Sequence, residues 1–118
     1  MYKKVYDCQQ GCPVESTLQF ISGKWKSVIL YHLMEEKVCH FGNLKRQIPG
    51  CSNRMLALQL RELESDGIIK KTSHPGTPPK TDYELSNFGK TLIPVITAMD
   101  SWGIYYNKIA SNALESKM

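Results

Sequence analysis

The spacing of apolar positions changes several times along this chain, and each change marks the edge of an element. Cys12-Pro13-Val14-Glu15 opens a helix, because proline suits the first helical position and an early acid suits the helix dipole. Leu18 and Ile21, with Val14, form its inward side, and Gly23 ends it. A second helix starts near Lys24, with Trp25, Val28, Ile29, His32 and Leu33 at helical spacing, and runs to Glu35-Glu36. Val38 to Phe41 is a short extended piece. A third, short helix keeps Leu44 and Ile48 apolar until Pro49-Gly50 stops it.

Ser52 is a good N-cap, since its hydroxyl accepts from the free amides of a first helical turn. The helix it opens runs to about Asp66 and closes on Gly67. Leu56, Leu60 and Leu63 form its core stripe, which leaves Arg54, Ala57, Leu58, Arg61 and Ser65 roughly opposite. Ile68 to Ser73 and Lys80 to Leu85 read as strands around a His74-Pro75-Gly76-Thr77-Pro78-Pro79 turn. In the second strand Tyr83 and Leu85 share one face, Asp82 and Glu84 the other. Ser86 then caps a long final helix. Its stripe is Leu92, Ile96, Met99, Trp102, Tyr106 and Ile109, widened by Ile93, Val95 and Tyr105. Pro94 lies inside that pattern and either kinks the helix or starts it anew.

This pattern predicts a mainly α fold with a small β-hairpin (α+β), in one domain of 118 residues. Residues 1–11 form an N-terminal arm and residues 86–112 a dimerisation helix. The last stripe is wider than one small core needs, which favours oligomerisation. Charge sharpens the picture. Residues 37–80 hold eight basic and three acidic residues, a net of +5, while the rest of the chain nets −1. Positive charge confined to the middle of the chain suits a polyanion.

A short helix, a Pro-Gly turn and a capped longer helix form a helix-turn-helix, in which the second helix enters the major groove by its leading end. Here that end is Ser52, Asn53 and Arg54. Arginine pairs bidentately with guanine and asparagine with adenine. Arg61 lies two turns along the same face, and Ala57 and Leu58 suit thymine methyls. The hairpin brings Lys80, His74 and Lys71 to the backbone or minor groove. Lys24, Lys26, Lys45 and Arg46 are further phosphate candidates. His32 and His40 read as structural.

No segment approaches the roughly 20 apolar residues of a membrane span. The N-terminus has no apolar run of the signal-peptide kind, which points to the cytoplasm. Glycine-rich phosphate loops, nucleophile elbows and paired carboxylates are absent, so no enzyme and no cofactor is predicted. Cys8 and Cys12, with Cys39-His40, make a poor metal set, because adjacent residues on a strand point to opposite faces. Cys39 and Cys51 read as packed thiols. A winged-helix module that binds another protein is the alternative reading.

With these residues in view, the chain resembles the HxlR-type winged helix-turn-helix regulators of the MarR-like superfamily. The resemblance rests on Cys12-Pro-Val-Glu15, Ser22-Gly-Lys-Trp-Lys26, Phe41-Gly-Asn-Leu44, Ser52-Asn-Arg-Met-Leu56, Gln59-Leu-Arg-Glu-Leu-Glu64, Asp66-Gly67, Pro78-Pro79, Tyr83-Glu-Leu-Ser86 and Gly89. It implies a homodimer built from the terminal helices, bound to an inverted repeat, that represses or activates nearby genes. Leu18, Leu92, Ile96, Met99, Trp102, Tyr106 and Ile109 would form the dimer interface. It also implies sensing of electrophiles or oxidants by the cysteine before the first helix, here Cys12. A helix N-terminus favours a thiolate there, Lys3 and Lys4 add to that, and Glu15 and Asp7 oppose it. Cys8, four residues earlier, can resolve a sulfenate at Cys12 or pair across the dimer.

Overall fold

The computed structural model describes residues 3–9 and 11–116, and its elements follow the predicted order closely. They are α1 (Pro13–Ile21), α2 (Lys26–Glu36), β1 (Val38–His40), α3 (Phe41–Gln47), α4 (Asn53–Ser65), β2 (Ile69–His74), β3 (Lys80–Leu85), α5 (Asn87–Lys90) and α6 (Ile93–Ser116). The strands form one antiparallel sheet in the order β1-β3-β2. The extended piece at Val38 is therefore the third strand of that sheet, with Cys39 opposite Tyr83 and His40 opposite Asp82.

The core lies where α2, α4 and the sheet meet. Ile29, Leu30, Leu33, Leu44, Leu56, Leu60, Leu63 and Ile68 are all buried in it. Leu30 was not in the predicted stripe, because α2 is apolar on more than one side. α1 buries only Ile21, while Val14 and Leu18 stay exposed, contrary to the inward positions expected for them. A helix this short has room for one anchor against α2.

Two terminations set the spacing of the pieces. Gly67 follows α4 with φ 77, a left-handed value that glycine adopts at little cost, and Ile68 N–H then closes on the Leu63 carbonyl at 3.0 Å. The Ile68 carbonyl accepts in turn from the Ser86 amide at 2.9 Å and the Ser86 hydroxyl at 3.0 Å. That hydroxyl also accepts from Gly89 N–H at 2.9 Å, so Ser86 caps α5 and fastens it to the end of α4.

The single final helix expected from Ser86 onward is two helices. α5 ends at Lys90, and α6 starts at Ile93 with Pro94 second. Proline lacks an N–H and is tolerated only in a first turn, so the chain restarts the helix there. α6 is 24 residues long, and most of its side chains beyond Ile96 are exposed. The radius of gyration is 16.7 Å, against about 13 Å for a compact domain of 100 residues. Ile96, expected in the dimer interface, is instead packed in the chain's own core, and Leu92 is half-buried against it. The turn of α6 nearest the sheet is the part that closes the monomer.

A Cβ on Gly89 would stand 2.0 Å from the Ile68 carbonyl oxygen, a backbone atom that the Ser86 bonds hold in place. Gly89→Ala should therefore lower the stability by about 1–3 kcal/mol, the usual cost of overpacking. Urea denaturation measures it; an unchanged midpoint would show that α5 is free to shift.

Candidate nucleic-acid interface

The polar face of α4 is set by its cap and its leucines. Ser52 Oγ accepts from Met55 N–H at 3.1 Å, which fixes the first turn. With Leu56, Leu60 and Leu63 turned inward, Ser52, Asn53, Arg54, Leu58 and Arg61 are exposed and Ala57 half-exposed. All six predicted α4 residues thus lie at or near the surface. The arginines at 54 and 61 have no ion-pair partner among the described residues. Met55 is also exposed and lies beside Gln59, whose amide meets its sulfur at 3.3 Å.

The helix before the turn contributes Lys45 and Arg46. Lys45 Nζ donates to the Pro49 carbonyl at 3.3 Å, and Arg46 to the side chain of Asn43. Both bonds are exposed and compete with water, so neither removes the cation from the surface. Lys24 Nζ lies 4.6 Å from the centre of the Trp25 ring. That ring reaches the turn between α3 and α4, where a Cβ on Gly50 would meet it at 3.5 Å. Lys24 is thereby held near the turn of the helix-turn-helix.

Lys26 is placed otherwise than expected. Its ammonium sits 2.7 Å from Glu62, with only 13% of the side chain exposed. The hydrogen bond and charge of Lys26 hold the Glu62 carboxyl below the usual range. Lys26 is a strut between α2 and the far end of α4, not a free cation. Lys3 makes a similar tie to Asp66 at 3.3 Å.

The hairpin of β2 and β3 lies beside this face, with Lys71 and Lys80 exposed and Lys70 paired with Glu84 at 3.3 Å. His74 is again not free. Asp82, in the middle of β3, takes His74 Nε2 at 2.7 Å on one carboxylate oxygen and His40 Nδ1 on the other. One carboxylate thus links all three strands at the base of the wing. Partial burial opposes ionisation of Asp82. The His74 hydrogen bond and the charges of both histidines outweigh that and hold its carboxyl below the usual range. Sequence reasoning missed this cluster: strand alternation put Asp82 on the outer face, but its partners depend on a pairing between distant segments.

The thiols divide as predicted. Cys39 and Cys51 are buried, and burial with nearby Glu36 raises the Cys39 thiol above its ordinary pKa. Cys8 and Cys12 are exposed. Cys12 is the N-cap of α1, and its amide donates to the Glu15 carboxylate at 2.8 Å. The arm that carries Cys8 is pinned along α1. Gln19 holds both the amide and the carbonyl of Lys4, at 3.1 and 2.6 Å, and Ser16 Oγ accepts from the Tyr6 amide at 2.9 Å. Through Lys3 and Asp66 the same arm is tied to the end of α4.

On α6, Met99, Trp102, Tyr105, Tyr106 and Ile109 are all exposed, with Trp102 and Tyr106 stacked at 5.7 Å. Val5, Val14 and Leu18 add apolar surface on the arm and α1. No helix is long and apolar enough to cross a membrane among the described residues.

Two helices joined by a tight turn, followed by a hairpin that flanks the second helix and forms a three-stranded sheet with the β1 strand before them, define a winged helix-turn-helix protein. The family model described as HxlR-like helix-turn-helix matches residues 20–111, and the chain belongs to that family. It is 46% identical over 101 residues to the uncharacterized HTH-type transcriptional regulator YybR of Bacillus subtilis strain 168, covering 86% of this chain and 80% of that one. Among solved structures, the redox regulator HypR in its oxidized form superposes with a TM-score of 0.75 at 45% identity, over 80% of this chain and 96% of that one. The reduced form of the transcriptional regulator YodB from B. subtilis gives a TM-score of 0.66 at 34% identity, over 77% and 89% of the two chains.

The Asp82 cluster predicts an acid-sensitive fold. A carboxyl held low in the folded state contributes stability above its unfolded pKa of about 3.9, and that stability is lost as pH falls through the folded value. Asp82→Asn should lower the urea midpoint near neutrality and flatten its decline on acidification. Parallel curves for the two proteins would show that the cluster contributes nothing.

Proposed function

We propose that the chain is a sequence-specific DNA-binding transcriptional regulator that acts as a homodimer on an inverted-repeat operator. The observation that carries this reading is the exposed, unpaired Arg54 at the leading end of a capped α4, beside Asn53 and flanked by a basic wing. α4 lies in the major groove, and Asn53 and Arg54 read base edges. Arg61 meets a base or a phosphate, and Ala57 and Leu58 pack on thymine methyls. Lys24, Lys45, Arg46 and Lys80 hold phosphates and fix the register. Lys26 and His74 support this surface from behind: one braces α4, the other ties the wing.

The second copy is held by α6. Met99, Trp102, Tyr106 and Ile109 are too exposed and too apolar to serve a monomer. Leu18 joins them from α1. A two-fold pairing places the recognition helices about 34 Å apart, one turn of B-DNA. Similarity to HTH-type transcriptional regulators supports regulation of transcription, and similarity to the redox regulator HypR supports a redox input.

Cys12 is the sensing thiol in this reading. An electrophile adds to its sulfur and the thiol proton leaves. A diamide-type oxidant takes two electrons and two protons from Cys12 and Cys8, leaving a disulfide within the chain or across the dimer. The arm then pulls on α1 and, through Lys3 and Asp66, on α4.

Arg54→Ala should weaken binding to the operator by about 1–3 kcal/mol and relax preference at one base pair, as for a lost bidentate contact. A gel shift with the duplex upstream of its own coding sequence measures this; unchanged affinity and preference reject the role. Cys12→Ser should bind DNA nearly as well at rest and lose the response to diamide or a quinone. A mutant that still responds would place the sensor elsewhere.

A further inference from the structure

The two faces of the sheet differ in kind. Cys39, Ile69, Tyr83 and Leu85 bury one face against the core. The other carries a polar row across all three strands. His40 on β1 and Thr72 on β2 stand on either side of Asp82 on β3. One step nearer the tip, His74 stands across from Lys80, where the hairpin enters its loop. Opposed residues of an antiparallel pair share a face, so His74 and Lys80 are neighbours there.

Asp82 fixes the tautomer of both rings. An ionised carboxylate only accepts, so His40 Nδ1 and His74 Nε2 each carry the hydrogen that meets it. The second nitrogen of each ring is left to take a proton. His74 keeps 52% of its side chain exposed, which leaves it open to proton exchange with water.

With both imidazoles neutral, the cluster is a net anion at the base of the wing, and one added proton cancels that charge. The two rings are unequal acceptors of it. His40 is the N-cap of α3, whose positive end opposes a charge there. His74 is opposed by Lys80, which has no ion-pair partner among the described residues. A phosphate on Lys80 turns that opposition into attraction. Lys70 and Glu84, the other charged pair on this face, meet each other at 3.3 Å. Helices pack on the buried face, from which Glu64 of α4 acts on Tyr83, while the charges that act on Asp82 are those of the two histidines.

We propose that binding of duplex DNA takes up a proton at His74, with Asp82 as its counter-charge, so that the wing grips more tightly as pH falls through the histidine range, about 6.5 for a free imidazole. This proton step rests on the DNA-binding reading above. The proton comes from water and returns to it when the duplex leaves. A phosphate near the ring favours its charged form in the complex. Affinity is therefore highest below the histidine range and declines as pH rises through it.

The test is a fluorescence-anisotropy titration of the full chain with a duplex from upstream of its coding sequence, at fixed salt and at about pH 6, 7 and 8. Affinity should fall by about three- to tenfold from the lowest pH to the highest, tenfold being the worth of one unit of proton affinity. His74→Gln still donates to Asp82 but does not titrate, and should remove most of that dependence. His32→Gln, on α2 and outside the cluster, should keep it. By NMR, the His74 ring should hold its proton to higher pH in the complex than in the free chain. Equal affinity across the range, a His74→Gln variant with the parent's slope, or an unmoved His74 titration overturns the proton step and leaves the regulator standing. A parent that binds no duplex at any pH overturns the regulator reading, and the proton step with it.

Discussion

Three leucines on α4, at positions 56, 60 and 63, decide which way the rest of that helix points. They are essentially without exposure, and together they bury one stripe of a four-turn amphipathic helix. At roughly 1.5–3 kcal/mol for each fully buried leucine, this burial outweighs any preference of the surface residues. Once the stripe is inward, Arg54 and Arg61 have no choice of side. The Ser52 cap then fixes where the helix begins, and so which residues stand at its leading end. What the α4 surface presents to a partner follows from that rotation and that starting point.

The remaining structure holds this helix at both ends and gives it a flank. Glu62 and Asp66, near its far end, are tied to α2 and to the N-terminal arm by Lys26 and Lys3. Gly67 turns the chain directly into the sheet, and the Ile68 carbonyl anchors Ser86 and hence α5. Asp82 gathers the three strands through His40 and His74, so the wing is fastened to β1 as well as to its own hairpin partner. The thiol-bearing arm, the recognition helix and the sheet form one connected set. Beyond Ile96, α6 carries its aromatic face outward.

What was legible in the sequence is what local chemistry determines. The cap at Ser52, the stop at Pro49-Gly50, the glycine after α4 and the Lys80 to Leu85 strand depend on neighbours in the chain, and the structure has them as read. What was not legible depends on distant segments meeting. Lys26 was an ordinary surface cation until Glu62 was known to face it, and His40 had no assigned partner until β1 was paired with β3, which sets it opposite Asp82. Ile96 belonged to a regular apolar stripe, but periodicity cannot say where along the helix one's own core ends and free surface begins. Pro94 was a genuine fork, kink or restart, and the geometry before it decided for a restart.

In the proposed regulator, the outward face of α4 and the wing bind duplex DNA as one half of a dimer. The most direct measurement is a fluorescence-anisotropy titration of the full chain with a duplex from upstream of its coding sequence, repeated between about 50 and 200 mM salt. A dimeric DNA-binding regulator should show two chains per duplex site and an affinity that falls steeply and linearly in log–log form as phosphate-bound counterions are displaced. A chain that ignores the duplex at every ionic strength, or that binds with no dependence on salt, would contradict it.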